Sequence, residues 1–259
     1  MATLFDVKPP SQDRKHRRGV YLLPSLFTVG NMFCGYACIV YSMRGDLTIA
    51  APFIGFAFLL DSLDGRIARL TGTTSAFGVE LDSLADVISF GIAPAVLTFA
   101  WALGDLGRVG WAAGFIYLSA AAMRLARFNI QSAVQLDKRY FVGMPSPSAA
   151  GVIAATVYAW PYAMPGLARS ITAIAIVLVP AVLMVSTIRF QAFKAINFGW
   201  APSYMPLFLF GVFIVLIAME PRFTLIILAY GYLLSPFIGM GWSRLRRRPS
   251  APPPPAASP

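Results

Sequence analysis

Long apolar stretches alternate with short polar or basic segments along nearly the whole chain. An α-helix needs about 20 apolar residues to cross the hydrocarbon core of a bilayer, and most of the stretches approach that length. The pattern therefore predicts an all-α polytopic membrane protein with about eight transmembrane helices. The predicted spans run near residues 21–42, 47–63, 84–103, 109–126, 148–164, 170–188, 205–219 and 223–241.

The composition agrees with membrane insertion and excludes several classes of enzyme. Of the 259 residues, 58% are hydrophobic and 12% are charged, against roughly 25% charged residues in a soluble domain. Cys34 and Cys38 lie in one apolar stretch, so no disulfide framework is expected. The single histidine, His16, lies in a basic tail, which excludes Ser–His hydrolases and transferases that use paired histidines.

The basic residues predict how the chain is oriented. The net charge is +10, but Lys and Arg cluster in tails and loops, as they do at cytoplasmic membrane flanks, and this pattern does not indicate nucleic-acid binding. With both termini in the cytoplasm, only Arg44, Arg108, Arg169 and Arg222 of the 21 basic residues lie on the opposite side. We therefore expect a multi-pass protein of the cytoplasmic (inner) cell membrane with both termini inside.

Acidic residues are concentrated where an apolar chain should have few. Five of the eleven fall within residues 61–86, the segment that joins the second and third spans on the predicted cytoplasmic side: Asp61, Asp64, Glu80, Asp82 and Asp86. An aspartate at membrane depth costs on the order of 2.5–3.5 kcal/mol on insertion scales, so such residues are functional candidates.

The spacing of these acids predicts a metal site. Asp61 and Asp64 share one helix face, as do Asp82 and Asp86. Two antiparallel helices joined by a turn over residues 70–77 would make the two faces converge. The close carboxylates would repel one another unless cations neutralise them, and oxygen-only ligands favour Mg²⁺ or Mn²⁺. Capping of helix ends explains one or two acids but not four on facing surfaces.

The same segment resembles a known enzyme family at every fixed position of its motif. Residues 61–86 match D-x2-D-G-x2-A-R-x8-G-x3-D-x3-D, the motif of the CDP-alcohol phosphotransferases. Residues 23–35, 86–95 and 124–129 resemble the members of this family that use serine as the acceptor. Ser25 departs from the pattern, because relatives usually carry Asn at this position.

The resemblance implies a reaction and roles for the acids. Asp61, Asp64 and Asp82 match the main ligands of two divalent cations, Mg²⁺ or Mn²⁺. Asp86 matches a residue near one metal that acts as the general base. The serine hydroxyl would attack the phosphorus of CDP-diacylglycerol next to the glyceride, and CMP would leave. The family also implies a homodimer and a catalytic core of six helices at residues 20–190, with the active site at the cytoplasmic ends of helices 2 and 3.

The regions outside that core are predicted from composition. A basic cytoplasmic tail occupies residues 1–19, and two additional transmembrane helices occupy residues 191–242. Residues 243–259 form a basic, Pro-rich tail that we expect to be disordered.

Further residues are candidates for binding the lipid nucleotide. Gly65, Arg69 and Ser75 match family positions that contact the CDP moiety. Gly78, like Gly65, would let the backbone approach a bulky ligand. Thr28 and Asn31 lie one helical turn apart on the first span. They would either contact the nucleotide or form hydrogen bonds between helices.

A second group of polar residues follows the fourth span. Arg124, Arg127 and Asn129 either bind the serine carboxylate or a substrate phosphate, or anchor the helix at the membrane surface. Ser146, in the loop at residues 143–148, would line the same acceptor pocket unless this loop is a simple turn.

Two alternative functions fit parts of the pattern. The same chemistry could use glycerol 3-phosphate, inositol phosphate or choline as the acceptor. A phosphorylated acceptor would need further cations near the pocket, and choline would favour an aromatic cage. A cation transporter could also place acids on broken helices, but the acids lie at one membrane face and the two halves of the chain show no inverted symmetry.

Overall fold

The computed structural model describes residues 14–72, 75–132, 140–162, 167–191 and 205–246. Within these ranges the chain forms eight helical segments and two short strands. The helices are α1 (Arg14–Arg44), α2 (Leu47–Thr71), α3 (Ala76–Leu106), α4 (Arg108–Ser132), α5 (Ser146–Ala159), α6 (Leu167–Val185), α7 (Met205–Met219) and α8 (Pro221–Arg246). The predicted tails lie largely outside the described residues, although α1 already begins at Arg14.

The helices confirm a polytopic membrane protein. Five segments are long and apolar enough to cross a bilayer: Ser25–Arg44, Leu47–Thr71, Ala76–Leu106, Arg108–Ile130 and Pro221–Ile238. The segment Ser170–Val185 is apolar but shorter. Helices α5 and α7 have 14 and 15 residues, so length and composition single out five of the eight described helices as spans.

The acidic motif lies on two helices that extend beyond the predicted spans. Helix α2 continues to Thr71, where Gly72 ends it in the left-handed conformation with φ of 62°. A C-terminal glycine of this kind is a common helix stop. Helix α3 begins at Ala76, and the side chain of Ser75 accepts a hydrogen bond from the Gly78 amide as its N-cap. The predicted turn is thus confirmed, and it places the two halves of the motif on antiparallel helices.

Helix α3 contains two π-helical turns, Val87–Ile92 and Phe99–Leu103, that the sequence pattern did not predict. Pro94 has no amide hydrogen and therefore cannot bond the carbonyl of Phe90, four residues earlier. The buried Tyr117 hydroxyl of α4 donates to that carbonyl at 3.0 Å instead. Neighbouring side chains commonly satisfy the backbone groups that a proline frees in a membrane helix.

A short strand pair closes one end of the bundle. Strand β1 (Tyr140–Val142) pairs with β2 (Arg189–Gln191) in antiparallel register, an addition to the predicted all-α fold. Gly143 follows β1 with φ of 83°, and a Cβ at this position would lie 2.4 Å from the Met184 carbonyl oxygen. This close approach joins the start of α5 to the end of α6. Helix α5 then ends at Ala159, before the predicted residue 164, because Pro161 disfavours helical geometry at Trp160.

Candidate active site

Three carboxylates from α2 and α3 converge across the helical hairpin. One carboxylate oxygen each of Asp61, Asp64 and Asp82 lies within 4.8 Å of the others. Asp64 is only 4% exposed, while Asp61 and Asp82 are half-buried. Three of the four acids that the sequence selects therefore have oxygens close enough to share one ion.

The fourth acid, Asp86, is buried one helical turn beyond Asp82. It interacts with Asp61, to which it is hydrogen-bonded, and with Asp82, and among the described residues the guanidinium of Arg124 is the positive charge that acts on it. One arginine cannot balance four carboxylates, so the cluster has an excess of negative charge.

The carboxylate oxygens of this cluster are suitable ligands for a divalent cation. Asp82 Oδ1 is buried, and within the described part of the chain it has no hydrogen-bond partner. A buried polar atom of this kind is rare and calls for a ligand or an ion. Carboxylate oxygens are the ligands that Mg²⁺ and Mn²⁺ prefer. Asp61, Asp64 and Asp82 therefore have the chemistry and the proximity to hold such an ion.

Helix α1 contacts the acids directly. Thr28 Oγ1 donates to Asp64 Oδ2 at 3.0 Å, and Asn31 Nδ2 donates to Asp86 Oδ1 at 3.3 Å. Both α1 residues are buried. Of the two interpretations left open by the sequence, the structure contains the hydrogen bonds between helices, and their acceptors are the motif carboxylates.

The residues expected to bind the nucleotide lie where α2 ends and α3 begins, at the connected end of the hairpin. Arg69 is exposed, and its Nε donates to the Gly65 carbonyl within the same helix at 2.7 Å. A Cβ at Gly65 would meet only Arg69 Nη2, at 3.9 Å, so the surface over Gly65 is open to a ligand. A Cβ at Gly78 would lie 3.1 Å from Ser75 Oγ, so Gly78 and Ser75 are engaged in the helix cap.

The candidate acceptor residues divide into two groups. Arg124 Nη1 donates to Ser146 Oγ at 3.0 Å, and its guanidinium lies 5.2 Å from the centre of the Phe128 ring. Asn129 instead donates from Nδ2 to Ser83 Oγ on α3 at 2.8 Å. Arg127 is half-buried on the same helix. Among these candidates, Arg124 interacts electrostatically with Asp86 and Asp61, and Ser146 is its hydrogen-bond partner.

Sequence reasoning missed the contribution of α8 to this region. Tyr232 lies near Arg124 and shares a side-chain hydrogen bond with Ser148, and its ring packs against Phe190 of β2 at a centroid distance of 5.8 Å. Ser83 and Ser89 were missed as well. None of these residues occupies a fixed position of the acidic motif, and only the packing of distant segments brings Tyr232 near Arg124.

Comparisons with known proteins agree with the motif. The CDP-alcohol phosphatidyltransferase family profile matches residues 21–236. The chain is 39% identical over 185 residues to the CDP-diacylglycerol–serine O-phosphatidyltransferase of Helicobacter pylori strain J99, which covers 70% of this chain and 76% of the relative.

Two further relatives carry names of the same kind. The Bacillus subtilis CDP-diacylglycerol–serine O-phosphatidyltransferase is 36% identical over 127 residues, covering 49% of this chain and 70% of the relative. The archaetidylserine synthase of Methanothermobacter thermautotrophicus is 35% identical over 170 residues, covering 65% and 69%. Since the family match extends from α1 to α8 and includes the three converging carboxylates, the chain belongs to the CDP-alcohol phosphatidyltransferase family.

Proposed function

We propose that this protein is a CDP-diacylglycerol–serine O-phosphatidyltransferase, which makes phosphatidylserine and CMP from CDP-diacylglycerol and L-serine. The observation that supports this function best is the cluster of Asp61, Asp64 and Asp82 in a chain whose relatives are named for transfer to serine. The alternative acceptors and cation transport have no comparable support.

Two divalent cations, Mg²⁺ or Mn²⁺, would be held by Asp61, Asp64 and Asp82, with Asp86 close to one of them. When bound, such ions neutralise phosphoryl oxygens and stabilise a departing phosphate. The buried and unpartnered Asp82 Oδ1 supports a ligand role for that residue. Thr28 fixes one oxygen of Asp64 by its hydrogen bond.

Asp86 is the general base in this proposal. It accepts the proton of the serine hydroxyl as the hydroxyl oxygen bonds to the phosphorus next to the glyceride. The bond from that phosphorus to the CMP oxygen then breaks, and CMP leaves with the electron pair. The buried position of Asp86, beside the metal-ligand group and within range of Arg124, supports this role over that of a solvated acid.

The CDP moiety would bind at the end of the α2–α3 hairpin where the two helices connect. The surface over Gly65 is open, and the Arg69 guanidinium is exposed with a fork geometry that suits a phosphate. We place Ser75 and Gly78 at the edge of this site, where their backbone forms the start of α3.

Arg124 and Ser146 would bind the carboxylate of the acceptor serine. Arginine has five N–H donors, and the described residues use one of them on Arg124, in the bond to Ser146. The Arg124 guanidinium also interacts electrostatically with Asp86, which the acceptor hydroxyl must reach. Arg127 and Asn129 would lie at the margin of this pocket.

In the cell we place the protein in the cytoplasmic membrane, with both termini and the active site on the cytoplasmic side, as the distribution of Lys and Arg indicates. All eight helices would then cross or enter the bilayer. A homodimer is expected from the family. Because Tyr232 of α8 lies near Arg124 and shares a hydrogen bond with Ser148, we include the last helix in the functional unit.

The direct test is an acceptor comparison with purified protein in detergent or nanodiscs. We expect CMP release from CDP-diacylglycerol that needs Mg²⁺ or Mn²⁺ and is lost in EDTA. Radiolabelled serine should appear in the lipid fraction. Release of CMP with glycerol 3-phosphate, inositol phosphate or choline, but not with serine, would refute the proposed acceptor. Absence of metal-dependent CMP release with every acceptor would refute the reaction class.

A further inference from the structure

Helix α1 approaches the first π-helical turn of α3 unusually closely. At Gly35, an added Cβ would lie 2.6 Å from Ser89 Oγ and 2.8 Å from Ser89 Cα. Real Cβ atoms do not approach other atoms so closely, so a side chain at Gly35 would force the two helices apart. The contact lies three residues beyond Asp86 along α3 and one helical turn from Asn31 along α1.

The close approach allows two hydrogen bonds between the helices. The buried Ser89 hydroxyl donates to the Asn31 carbonyl oxygen at 2.9 Å, and Asn31 Nδ2 donates to Asp86 Oδ1 at 3.3 Å. Asn31 therefore links the π-helical turn to the carboxylate that precedes it. Turns of this type are frequent at functional sites, because they change the direction of the side chains next to them.

The amide of Asn31 is oriented by Asp86 alone among the described residues. Its other polar atom, Oδ1, is buried and has no hydrogen-bond partner within the described residues. An unpaired buried oxygen destabilises the fold, so this asparagine is poorly explained by packing. Its amide nitrogen has a defined partner, because it donates a hydrogen bond to one of the two carboxylate oxygens of Asp86.

We propose that Asn31 is a positioning residue for Asp86. By donating to Oδ1, it holds the Asp86 carboxylate, which also interacts with the Asp61 side chain, in the orientation from which it accepts the proton of the acceptor hydroxyl. Gly35 and Ser89 hold Asn31 at the required distance. This inference rests on the proposed role of Asp86 as the base, and it replaces the idea that Asn31 contacts the nucleotide.

The test compares steady-state kinetics of Asn31→Ala, Ser89→Ala and Gly35→Ala with the wild type. Partners that orient reactive groups are typically worth about 10–100-fold in activity. We expect a fall of about that size in kcat for Asn31→Ala and Gly35→Ala, with KM for both substrates nearly unchanged. Gly114→Ala is the matched control, because a Cβ there meets nothing within 4 Å, and it should behave as the wild type.

A double-variant cycle separates positioning from other roles. If Asn31 acts only through Asp86, then Asn31→Ala should cause no further loss of kcat in an Asp86→Asn background. Binding of Mn²⁺, followed by electron paramagnetic resonance, reports an intact site, and kcat is expressed per Mn²⁺-binding protein. Should Asn31→Ala fail to bind Mn²⁺, Ser89→Ala and Gly35→Ala provide the same comparison.

Three results would overturn the proposal. The first is a raised KM for CDP-diacylglycerol at unchanged kcat, which would make Asn31 a nucleotide contact. The second is a further loss of kcat when Asn31→Ala is added to Asp86→Asn, so that the losses of the two single variants multiply. The third is a kcat of Asn31→Ala that equals the wild-type value when it is expressed per Mn²⁺-binding protein. The role of Asn31 would then be structural only. If the wild type uses an acceptor other than serine but the cycle shows coupling, the proposed acceptor fails and the positioning role stands.

Discussion

Replacing Asp82 by Asn should stabilise the metal-free protein while abolishing its response to metal. One oxygen of Asp82 lies within 4.8 Å of oxygens of both Asp61 and Asp64. Without metal, Coulomb's law gives about 3.5 kcal/mol of repulsion for each such pair at an effective dielectric constant of about 20. The amide of Asp82→Asn removes one charge from both pairs and adds N–H donors that face the two remaining carboxylates.

The expected size of the effect is smaller than the full repulsion, because Asp61 and Asp82 are half-buried and solvent screens their charges. We expect a gain of about 1–3 kcal/mol in the free energy of unfolding without metal. For a chain of this length, each kcal/mol raises Tm by about 2–4 °C. Metal binding should then add little to the stability of Asp82→Asn, because this variant has lost one of the three metal ligands.

The assay is thermal unfolding of the purified protein in detergent, followed by intrinsic fluorescence, in EDTA and in saturating MnCl₂. The wild type should gain Tm with Mn²⁺. Asp82→Asn should have a higher Tm than the wild type in EDTA, and Mn²⁺ should raise its Tm much less. It should release no CMP. Glu80→Gln is the matched control, because Glu80 is exposed on the same helix. This variant should have the wild-type Tm both in EDTA and in MnCl₂. A variant that is less stable than the wild type in EDTA and keeps its full Mn²⁺ shift would refute the metal site.

Three further substitutions test separate parts of the proposed mechanism. Asp86→Asn should lower kcat by about 10²–10⁴-fold, the usual contribution of a general base, with little change in CDP-diacylglycerol affinity; restoration by excess metal would make Asp86 chiefly a ligand. Arg69→Lys should weaken CDP-diacylglycerol binding because the two-pronged contact is lost, while Arg246→Lys should have no measurable effect; equal effects would leave Arg69 as a membrane-flank residue. Arg124→Lys should raise KM for serine about 10-fold or more, since a charged hydrogen bond to a carboxylate contributes about 1.5–3 kcal/mol, and an unchanged KM would remove Arg124 from the acceptor pocket.

The hairpin of α2 and α3 shows how much local spacing predicts. Helical periodicity alone puts Asp61 with Asp64 and Asp82 with Asp86, and a short turn rich in Gly, Ser and Thr predicts that the helices run antiparallel. The structure confirms the turn and brings the acids of the two helices together. These features are predictable because they depend only on residues that lie close together in the sequence, within the segment 61–86.

The contacts of α1 and α4 were only partly predictable. Thr28 and Asn31 were candidates, but periodicity could not say whether they face a nucleotide or the acids. Asn129 was grouped with Arg124, yet it contacts Ser83 on α3. Helix rotation about its own axis decides such contacts, and in an apolar chain the hydrophobic pattern does not specify that rotation, because lipid and protein interior are both apolar.

By itself, the sequence determined that the chain is helical, crosses a membrane and has an acidic site between its second and third spans. These conclusions follow from apolar length, from helical periodicity and from the cost of placing charge in lipid. Tertiary structure alone decided the π-helical turn after Asp86, the close contact of Gly35 with Ser89 and the approach of Tyr232 to Arg124. Those features depend on how closely helices pack and which backbone groups a distant side chain satisfies, and such information lies in contacts between segments rather than in any one of them.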